Sequence, residues 1–486
     1  MSISSSVPDL RIRTANQKSP NRDGDYVLYW MTAYRRTTSN FALQRAGDWA
    51  RDLNKPLVVL SALRVDYPWA TDRAHAFILD GIKDVDAALA DTPAVHLTYV
   101  ETKQGGGKGL LAELAESAAV IVADDAPVFF LPRMVDTAAA RSPVLMEAID
   151  HNGLLPLATT DRVFLRAYDL RRFLQKELPP HLEQTPAADS TGDLPLAPPG
   201  LLDEIESRWP SPAADRSLLP DLPLDHSVPA TPLLGGERAA EAVLDRFVDN
   251  RLERYRERSH PDENVASGLS PYLHFGHVST HQVLAAVAAA ESWGTEMLSD
   301  SATGGRQGWW GMSEDAEGFL DQVVTWRELG YQAAARVPDN DEYGALPEWA
   351  QATLRDHADD PREYVYTLEQ FDEAATHDEI WNVAQRQLRQ EGTIHNYLRM
   401  LWGKKILEWS RTPQKAHDIM FELNNRYALD GRDPNSTSGI HWVMGRYDRP
   451  WGPERSIFGK VRYMSSDSAR RKLRMKNYLS KGATLF

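Results

Sequence analysis

The chain has 486 residues, 42% of them hydrophobic, a formal net charge of −15 and no cysteine. That length implies more than one compact unit. The lack of cysteine excludes a disulfide framework, a thiolate metal site and a cysteine nucleophile, and no metal site is expected.

No apolar run reaches the roughly 18 residues of a membrane span. The opening MSISSSVPDLRIRTANQKSP lacks the apolar stretch of a secretory signal. A cytoplasmic protein with no membrane partner is expected. Residues 1–25 read as an N-terminal extension.

Short β-rich runs follow at Tyr26–Trp30, Pro56–Leu63, Val95–Val100 and Ala118–Ala123, with helical patterns between them at Asn40–Leu53 and Ala74–Leu89. Strands alternating with helices predict a Rossmann-like α/β domain with a parallel sheet over residues 26–178. The crevice at the strands' carboxyl ends is the default small-ligand site. No GxGxxG follows the first strand. Gly105, Gly106, Gly107 and Gly109 lack the Gly-Lys-Ser/Thr ending of a phosphate-binding loop and read as a plain loop.

Residues 179–235 read as an interdomain linker, with 12 of the chain's 30 prolines in 179–232. Its leucines and tryptophan suit a segment that lies along a surface. Residues 236–486 read as an all-α domain, with helical patterns at Ala239–Arg258, His281–Ala290, Asp315–Val337, His377–Gln390, Thr393–Trp409 and Gln414–Tyr427. Residues 292–314, rich in Gly and Trp, read as a loop between helices.

The charge is unevenly spread. Residues 381–486 hold 20 Lys+Arg against 9 Asp+Glu, a balance of +11, which leaves −26 on the rest. This is the footprint of an anion-binding face on an acidic protein, although a solvated surface with a basic tail has the same composition.

Four segments could carry chemistry. In Ser267-Gly-Leu-Ser-Pro-Tyr-Leu-His-Phe-Gly276, small and hydroxyl residues precede a proline at a helix start, where free N–H groups can bind phosphate. Arg254 and Tyr255, one helix upstream, could close over such a ligand. An ordinary N-cap followed by proline explains the same residues. In Thr325-Trp-Arg-Glu-Leu329, Glu328 suits contact with a base carbonyl or imide, or equally a buried Arg–Glu pair.

Along Thr393–Trp409, His395, Arg399, Trp402 and Trp409 fall near one helical face. Arg399 needs an anion there, and Asp430 is the candidate partner. With Trp381 on the preceding helix, three tryptophans could relay an electron from surface to interior, or simply pack. Finally, Phe458-Gly-Lys-Val-Arg-Tyr-Met464 alternates aromatic and basic residues, as base stacking with phosphate contact requires. A β-like edge with snorkelling basic side chains looks the same.

Taken in order, SGLSPYLHFG, WREL, EYVYTLEQFDEAATHDEIWNVAQRQL, HNYLRMLWGKKILEW, LNNRYALDGRDPN and FGKVRYM resemble the photolyase/cryptochrome family. They are most similar to its class II cyclobutane pyrimidine dimer photolyases. The N-terminal YVLYWMTAYRRTTSNFAL and PLVVLSAL resemble the opening of that class's antenna domain.

The resemblance implies FAD in the helical domain. It places Tyr255, Ser267, Gly268, Leu269 and Ser270 around the diphosphate. Arg399 and Asp430 flank the isoalloxazine, Asn424 faces its N5, and His395 and Asp433 complete the cofactor set. Trp402, Trp381 and Trp409 form the electron-transfer triad, Trp402 innermost. Glu328 touches the pyrimidine dimer. Met400, Asn396, Trp442, Lys460 and Arg462 serve the dimer pocket and DNA.

The implied partner is UV-damaged DNA, and a monomer associated with the nucleoid when bound is expected. A second antenna chromophore is implied, a deazaflavin being usual in that class. The sequence departs from the class pattern at Asn396, at Ser436 and Thr437, at Tyr331 and Gln332, and in the length of the 292–314 loop. The alternatives are a cryptochrome-like photoreceptor without repair, repair of (6-4) photoproducts, and a flavin electron carrier that does not bind DNA. The last leaves the +11 segment unexplained.

Overall fold

The computed structural model describes residues 3–484. Residues 1–161, 176–246 and 268–296 form one compact unit; residues 162–175, 247–267 and 297–486 form another.

The first unit is built on a six-stranded sheet: β1 (Ile12–Thr14), β2 (Tyr26–Trp30), β3 (Leu57–Leu63), β4 (Val95–Val100), β5 (Ala118–Asp124) and β6 (Met146–Ile149). Its order is β1-β6-β5-β2-β3-β4. Only β1 runs antiparallel, along β6.

The crossover helices are α1 (Phe41–Leu53), α2 (Asp72–Leu89), α3 (Leu110–Ser117) and α4 (Leu131–Arg141). Alternation along β2 sends Val27 and Tyr29 into a core with Phe41 and Trp49 of α1 and Val85 of α2. Tyr26, Leu28 and Trp30 enter a second core with Leu114 of α3 and Val135 of α4. Both faces are thus covered, as a parallel sheet requires, and the expected α/β class is correct.

Strands β1 and β6 carry no sequence signal of their own. Strand β6 is fully buried yet contains Glu147, which accepts from Arg45 Nε at 2.7 Å, Arg45 Nη2 at 2.8 Å and Trp49 Nε1 at 2.8 Å. This fully paired carboxylate makes a core strand look polar.

The strand order reverses between β2 and β5, where Asp124 lies buried. Its carboxylate accepts from Tyr29 Oη, from the N–H groups of Thr32, Ala33 and Tyr34, and from His151 Nε2 at 3.0 Å. Burial opposes the charge, but these bonds, led by that of His151, hold Asp124 below the usual carboxylate range.

The proline-rich segment is ordered in the first unit. Leu194 joins one sheet core, and Leu202 and Trp209 join the other. Arg216 pairs with Asp80 at 2.6 Å.

Among its described residues, the second unit contains helices and turns and no strand. The helical pattern expected over Asp315–Val337 is interrupted. Glu314–Leu320 and Arg327–Arg336 are α-helical, and Asp321–Trp326 between them is a π-helical turn. The stretch expected as one helix over Ala239–Arg258 breaks after Asn250 and continues as a 3-10 segment, Leu252–Ser259.

Candidate functional site

Helix Glu379–Glu391 begins at Asp378, whose side chain accepts from the Trp381 N–H at 3.0 Å. It stops at Gly392, whose φ of 69° is the left-handed conformation that ends helices. The next helix starts at Asn396 rather than at Thr393, because His395 holds extended backbone at the N-cap (φ −56°, ψ 128°). His395 therefore leaves the helical face expected to carry it. Trp402 and Trp409 remain on the helix, which runs to Trp409.

The two helices bring the three tryptophans together. The indoles of Trp381 and Trp402 are parallel to within 4°, with centroids 6.5 Å apart. Trp381 and Trp409 follow at 6.2 Å. Trp402 Nε1 donates to Gln385 Oε1 at 2.8 Å, and Trp381 Nε1 donates to the Trp402 carbonyl at 3.0 Å. These acceptors fix both rings and would stabilise positive charge on them. Exposures of 1% (Trp381), 2% (Trp402) and 3% (Trp409) correct one expectation: Trp409 is not at the surface.

Close approach of the helices depends on Gly403. A Cβ there would lie 2.7 Å from Val443 Cγ2 and 3.1 Å from Met420 Sδ. Helices Asn396–Trp409, Pro413–Tyr427 and Pro434–Val443 converge at this point.

One turn before Trp402, Arg399 makes the expected two-pronged pair with Asp430, Nη2–Oδ1 at 2.7 Å and Nη1–Oδ2 at 3.2 Å. Asp430 stands in the tight turn after helix Pro413–Tyr427. Asn424, on that helix and 2% exposed, directs Nδ2 at Ser436 Oγ. Arg399 Nε and His395 Nδ1 are buried with no hydrogen-bond partner among the described residues. Burial also lowers His395 to about 4, so its imidazole is neutral.

Asp433 caps helix Pro434–Val443, accepting from the Asn435 N–H at 2.8 Å, and also accepts from Tyr331 Oη at 3.2 Å. Tyr331 in turn accepts from Arg327 Nη2 at 3.0 Å. Glu328 is 2% exposed, at the helix start just after the π-helical turn; such turns are frequent at functional sites.

Met400 Cε lies 3.7 Å from a Cβ placed on Gly439, on the helix Pro434–Val443 that also carries Trp442. Asn396 is exposed at the helix start.

Trp442 is flanked by cations, with Lys404 Nζ 5.5 Å and the Arg462 guanidinium 5.6 Å from its ring centroid. Arg462 also lies 5.2 Å from the ring of Trp451, which is 37% exposed. Lys404 is wholly buried, which lowers its ammonium to about 7. Lys460 is exposed and pairs with Glu454 at 3.2 Å. The 458–464 segment is a turn with one isolated bridge, Arg455 to Gly459, not a β edge.

The expected diphosphate residues are divided. Tyr255 and Ser267 lie in the second unit, Gly268, Leu269 and Ser270 in the first. Tyr255 packs on Phe319 at 5.2 Å, and burial pushes its hydroxyl up to about 12. Arg254 is engaged with Glu257 and Glu263 in a surface ion cluster. Leu269, not a hydroxyl residue, stands at the N-cap of the short helix Ser270–His274.

Sequence reading missed Glu317. Its buried carboxylate accepts from the N–H groups of Gly308 and Gly311, organising the loop that carries Trp309 and Trp310. Its position one turn into helix Glu314–Leu320 looks like ordinary helix composition.

An α/β unit joined to a helical unit is the architecture of known photolyase structures. A class III photolyase from Agrobacterium tumefaciens superimposes with a TM-score of 0.65 at 16% identity, covering 96% of this chain and 87% of that one. An archaeal photolyase from Sulfolobus tokodaii, solved with two FAD molecules, gives 0.63 at 15%, covering 94% and 89%. No protein-family model matches the chain.

In sequence, the chain is 34% identical over 477 residues to the deoxyribodipyrimidine photo-lyase of Methanothermobacter thermautotrophicus, covering 97% of each. It is 31% identical over 471 residues to that of Arabidopsis thaliana, covering 93% of this chain and 88% of the relative. The chain belongs to the deoxyribodipyrimidine photo-lyase family and is an enzyme.

Proposed function

We propose that this chain is a class II-like photolyase that uses FAD and light to split cyclobutane pyrimidine dimers in DNA. The observation that carries the reading is the file of buried indoles, Trp402, Trp381 and Trp409, beginning one helical turn from the Arg399–Asp430 pair. Trp402 is the inner end of the file.

The residues fit a flavin. Arg399 Nε and His395 Nδ1 are buried polar atoms without a partner among the described residues, and a heteroatom-rich ring system would satisfy them. Arg399, Asp430 and Asn424 are assigned to the ring, Tyr255 and Ser267 to the diphosphate, and Asp433, the cap of helix Pro434–Val443, to the same cofactor set. FAD, when bound, would supply the photochemistry, light-driven one-electron reduction of the dimer.

The chain positions and shields. The three indoles deliver electrons inward. The dry surroundings of Trp402 and Trp381 keep water from competing. Neutral His395 adds no positive charge that would hold an electron back.

For the substrate, Glu328, Met400 and Trp442 are assigned to the dimer, with Asn396 at the rim. A damaged pair is weakly stacked, so turning it out of the duplex costs on the order of a few kcal/mol, less than for an intact pair. Lys460, Arg462 and the exposed Trp451 are assigned to the DNA strand, by phosphate contact and stacking. The first unit is assigned a second, light-harvesting pigment, for which a deazaflavin is the leading candidate. A cytoplasmic monomer is expected.

The (6-4) alternative would need histidines presented to the lesion. His417 and His441 do form a buried pair, but their Nε2 atoms face each other at 3.2 Å and His441 Nδ1 meets Arg446 at 3.0 Å. That arrangement suits packing. The test is illumination of the reduced enzyme with two matched oligonucleotides, one bearing a cyclobutane dimer and one a (6-4) product. Repair of the first alone supports the reading. Repair of the second alone overturns the lesion assignment, and repair of neither favours a photoreceptor.

A further inference from the structure

We propose that Lys404 is a positioning residue for lesion recognition: fastened to the last turn of helix Pro434–Val443, its ammonium holds the indole of Trp442 in the orientation that meets the dimer. This rests on the assignment of Trp442 to the dimer made above and deepens it.

Lys404 lies on helix Asn396–Trp409 with no exposed surface. Burying an ammonium costs stability, and a methionine would fill much the same space between two packed helices without that cost. The charge is nevertheless well placed. Nζ donates to the carbonyl oxygen of Val443, the final residue of helix Pro434–Val443, where a helix leaves carbonyls without partners and its dipole favours a cation. The neighbouring carbonyl of Trp442 accepts from the Gly445 N–H at 3.1 Å. Both carbonyls at this end of the helix are therefore held. From that anchor Nζ stands 5.5 Å from the Trp442 ring centroid, within cation–π reach.

A second cation, the Arg462 guanidinium, lies 5.6 Å from the same centroid. The two differ in freedom. Arg462 is exposed and also meets the ring of Trp451 at 5.2 Å, so a DNA phosphate can draw it away. Lys404 is enclosed and cannot follow a phosphate. The half-buried ring of Trp442 thus keeps one fixed cation when Arg462 leaves. Loss of Lys404 should cost orientation at the lesion rather than attraction to the duplex.

The grip depends on pH. Burial lowers Lys404 to about 7, with Asp448 opposing the shift and Arg462 adding to it. Below that value the side chain is an ammonium and the contact is present. Above it the amine is neutral and the contact fades. On the helices packed against this one, His417 and His441 are both lowered by burial, so neither changes charge as pH rises from ~6.5. Burial raises the hydroxyls of Tyr447 and Tyr463 above their ordinary value of 10.0. The other charges nearby are Asp418 beside His417, Arg446 beside His441, and Lys405 paired with Glu408 on the same helix. Carboxyl, guanidinium and ordinary lysine groups titrate far from 7.

The test measures binding of the full-length, flavin-loaded protein in the dark to an oligonucleotide carrying one cyclobutane dimer and to its undamaged counterpart. The readout is the ratio of the two affinities at pH ~6.5 and pH ~8, either side of the usual range of such a lowered amine. In the wild type the ratio should be higher at the lower pH. In Lys404→Met it should fall about tenfold at the lower pH, the size of a partly buried cation–π contact, and lose its pH dependence. Flavin content and affinity for undamaged DNA should not change. Lys404→Arg, which keeps a cation at both pH values, should hold the ratio high and flat. Calorimetry in two buffers of different ionisation enthalpy gives a measurement that needs no variant: the wild type should take up protons when it binds the dimer at the higher pH, because binding favours the ammonium. A wild-type ratio that is equal at both pH values, with no proton uptake, would overturn the proposal. A wild-type ratio in Lys404→Met, beside a lowered one in Trp442→Phe, would overturn it while leaving Trp442 at the dimer. An unchanged ratio in Trp442→Phe would overturn the assignment of Trp442 itself.

Discussion

Trp381 Nε1 donates to the carbonyl oxygen of Trp402 at 3.0 Å while the two indole planes lie within 4° of parallel. One bond therefore fixes both the spacing and the orientation of the inner pair. Trp381→Phe removes the bond and the redox centre but keeps an aromatic ring. Photoreduction should fall to background, whereas repair by chemically reduced enzyme should persist. Stability should drop by only about 1–2 kcal/mol, from one lost hydrogen bond and a smaller ring. Equal loss of photoreduction and repair would contradict the assigned role.

The Arg399–Asp430 pair is two-pronged and mostly buried, with side-chain exposures of 17% and 16%. Arg399→Leu strands the carboxylate and should cost about 3 kcal/mol in denaturant unfolding. Arg399→Lys keeps the charge but loses the planar fork. It should recover part of that stability while still retaining less flavin after dialysis than wild type. Unchanged flavin retention in both variants would remove Arg399 from the cofactor site.

Three buried histidines make the fold acid-labile. Burial holds His277, His281 and His441 well below the ordinary value of 6.5. Below that value the unfolded chain takes up protons that the folded chain refuses, so unfolding gains. Stability should be full above pH ~6.5 and fall as pH drops, by at most about 1.4 kcal/mol per pH unit for each histidine. The denaturant midpoint should be clearly lower at pH 5.5 than at pH 7.5 (roughly one unit either side of the imidazole range). Equal midpoints would show that these side chains are hydrated in the folded state.

Arg462 bridges the rings of Trp442 and Trp451 on an exposed face. If it meets a phosphate, Arg462→Ala should weaken binding to damaged and undamaged DNA alike and lower the salt slope by about one. A loss confined to damaged DNA would instead place Arg462 at the lesion.

Much of this was legible in the sequence because burial imposes simple demands. A cation on a half-apolar helix needs a carboxylate, and Arg399 found Asp430. Runs such as YVLYW and VHLTYV could only be covered strands. Other features leave no compositional mark. Strand β6 is hidden by Glu147, whose partners Arg45 and Trp49 are about a hundred residues away in sequence. The π-helical turn at Asp321–Trp326 changes hydrogen bonding without changing the apolar pattern. His395 appeared to share a face with Arg399 because the helix start was read three residues early. The burial of Trp409 depends on packing that no local pattern reveals.

The most direct measurement of the central claim is a light–dark comparison on one sample. The protein is purified, its visible spectrum recorded, and the reduced form mixed with an oligonucleotide carrying a single cyclobutane thymine dimer. The account predicts a flavin spectrum that survives purification, and native thymines restored under blue or near-UV light but not in the dark. A protein that carries no flavin, or dimers that persist under light in the reduced flavoprotein, would contradict it.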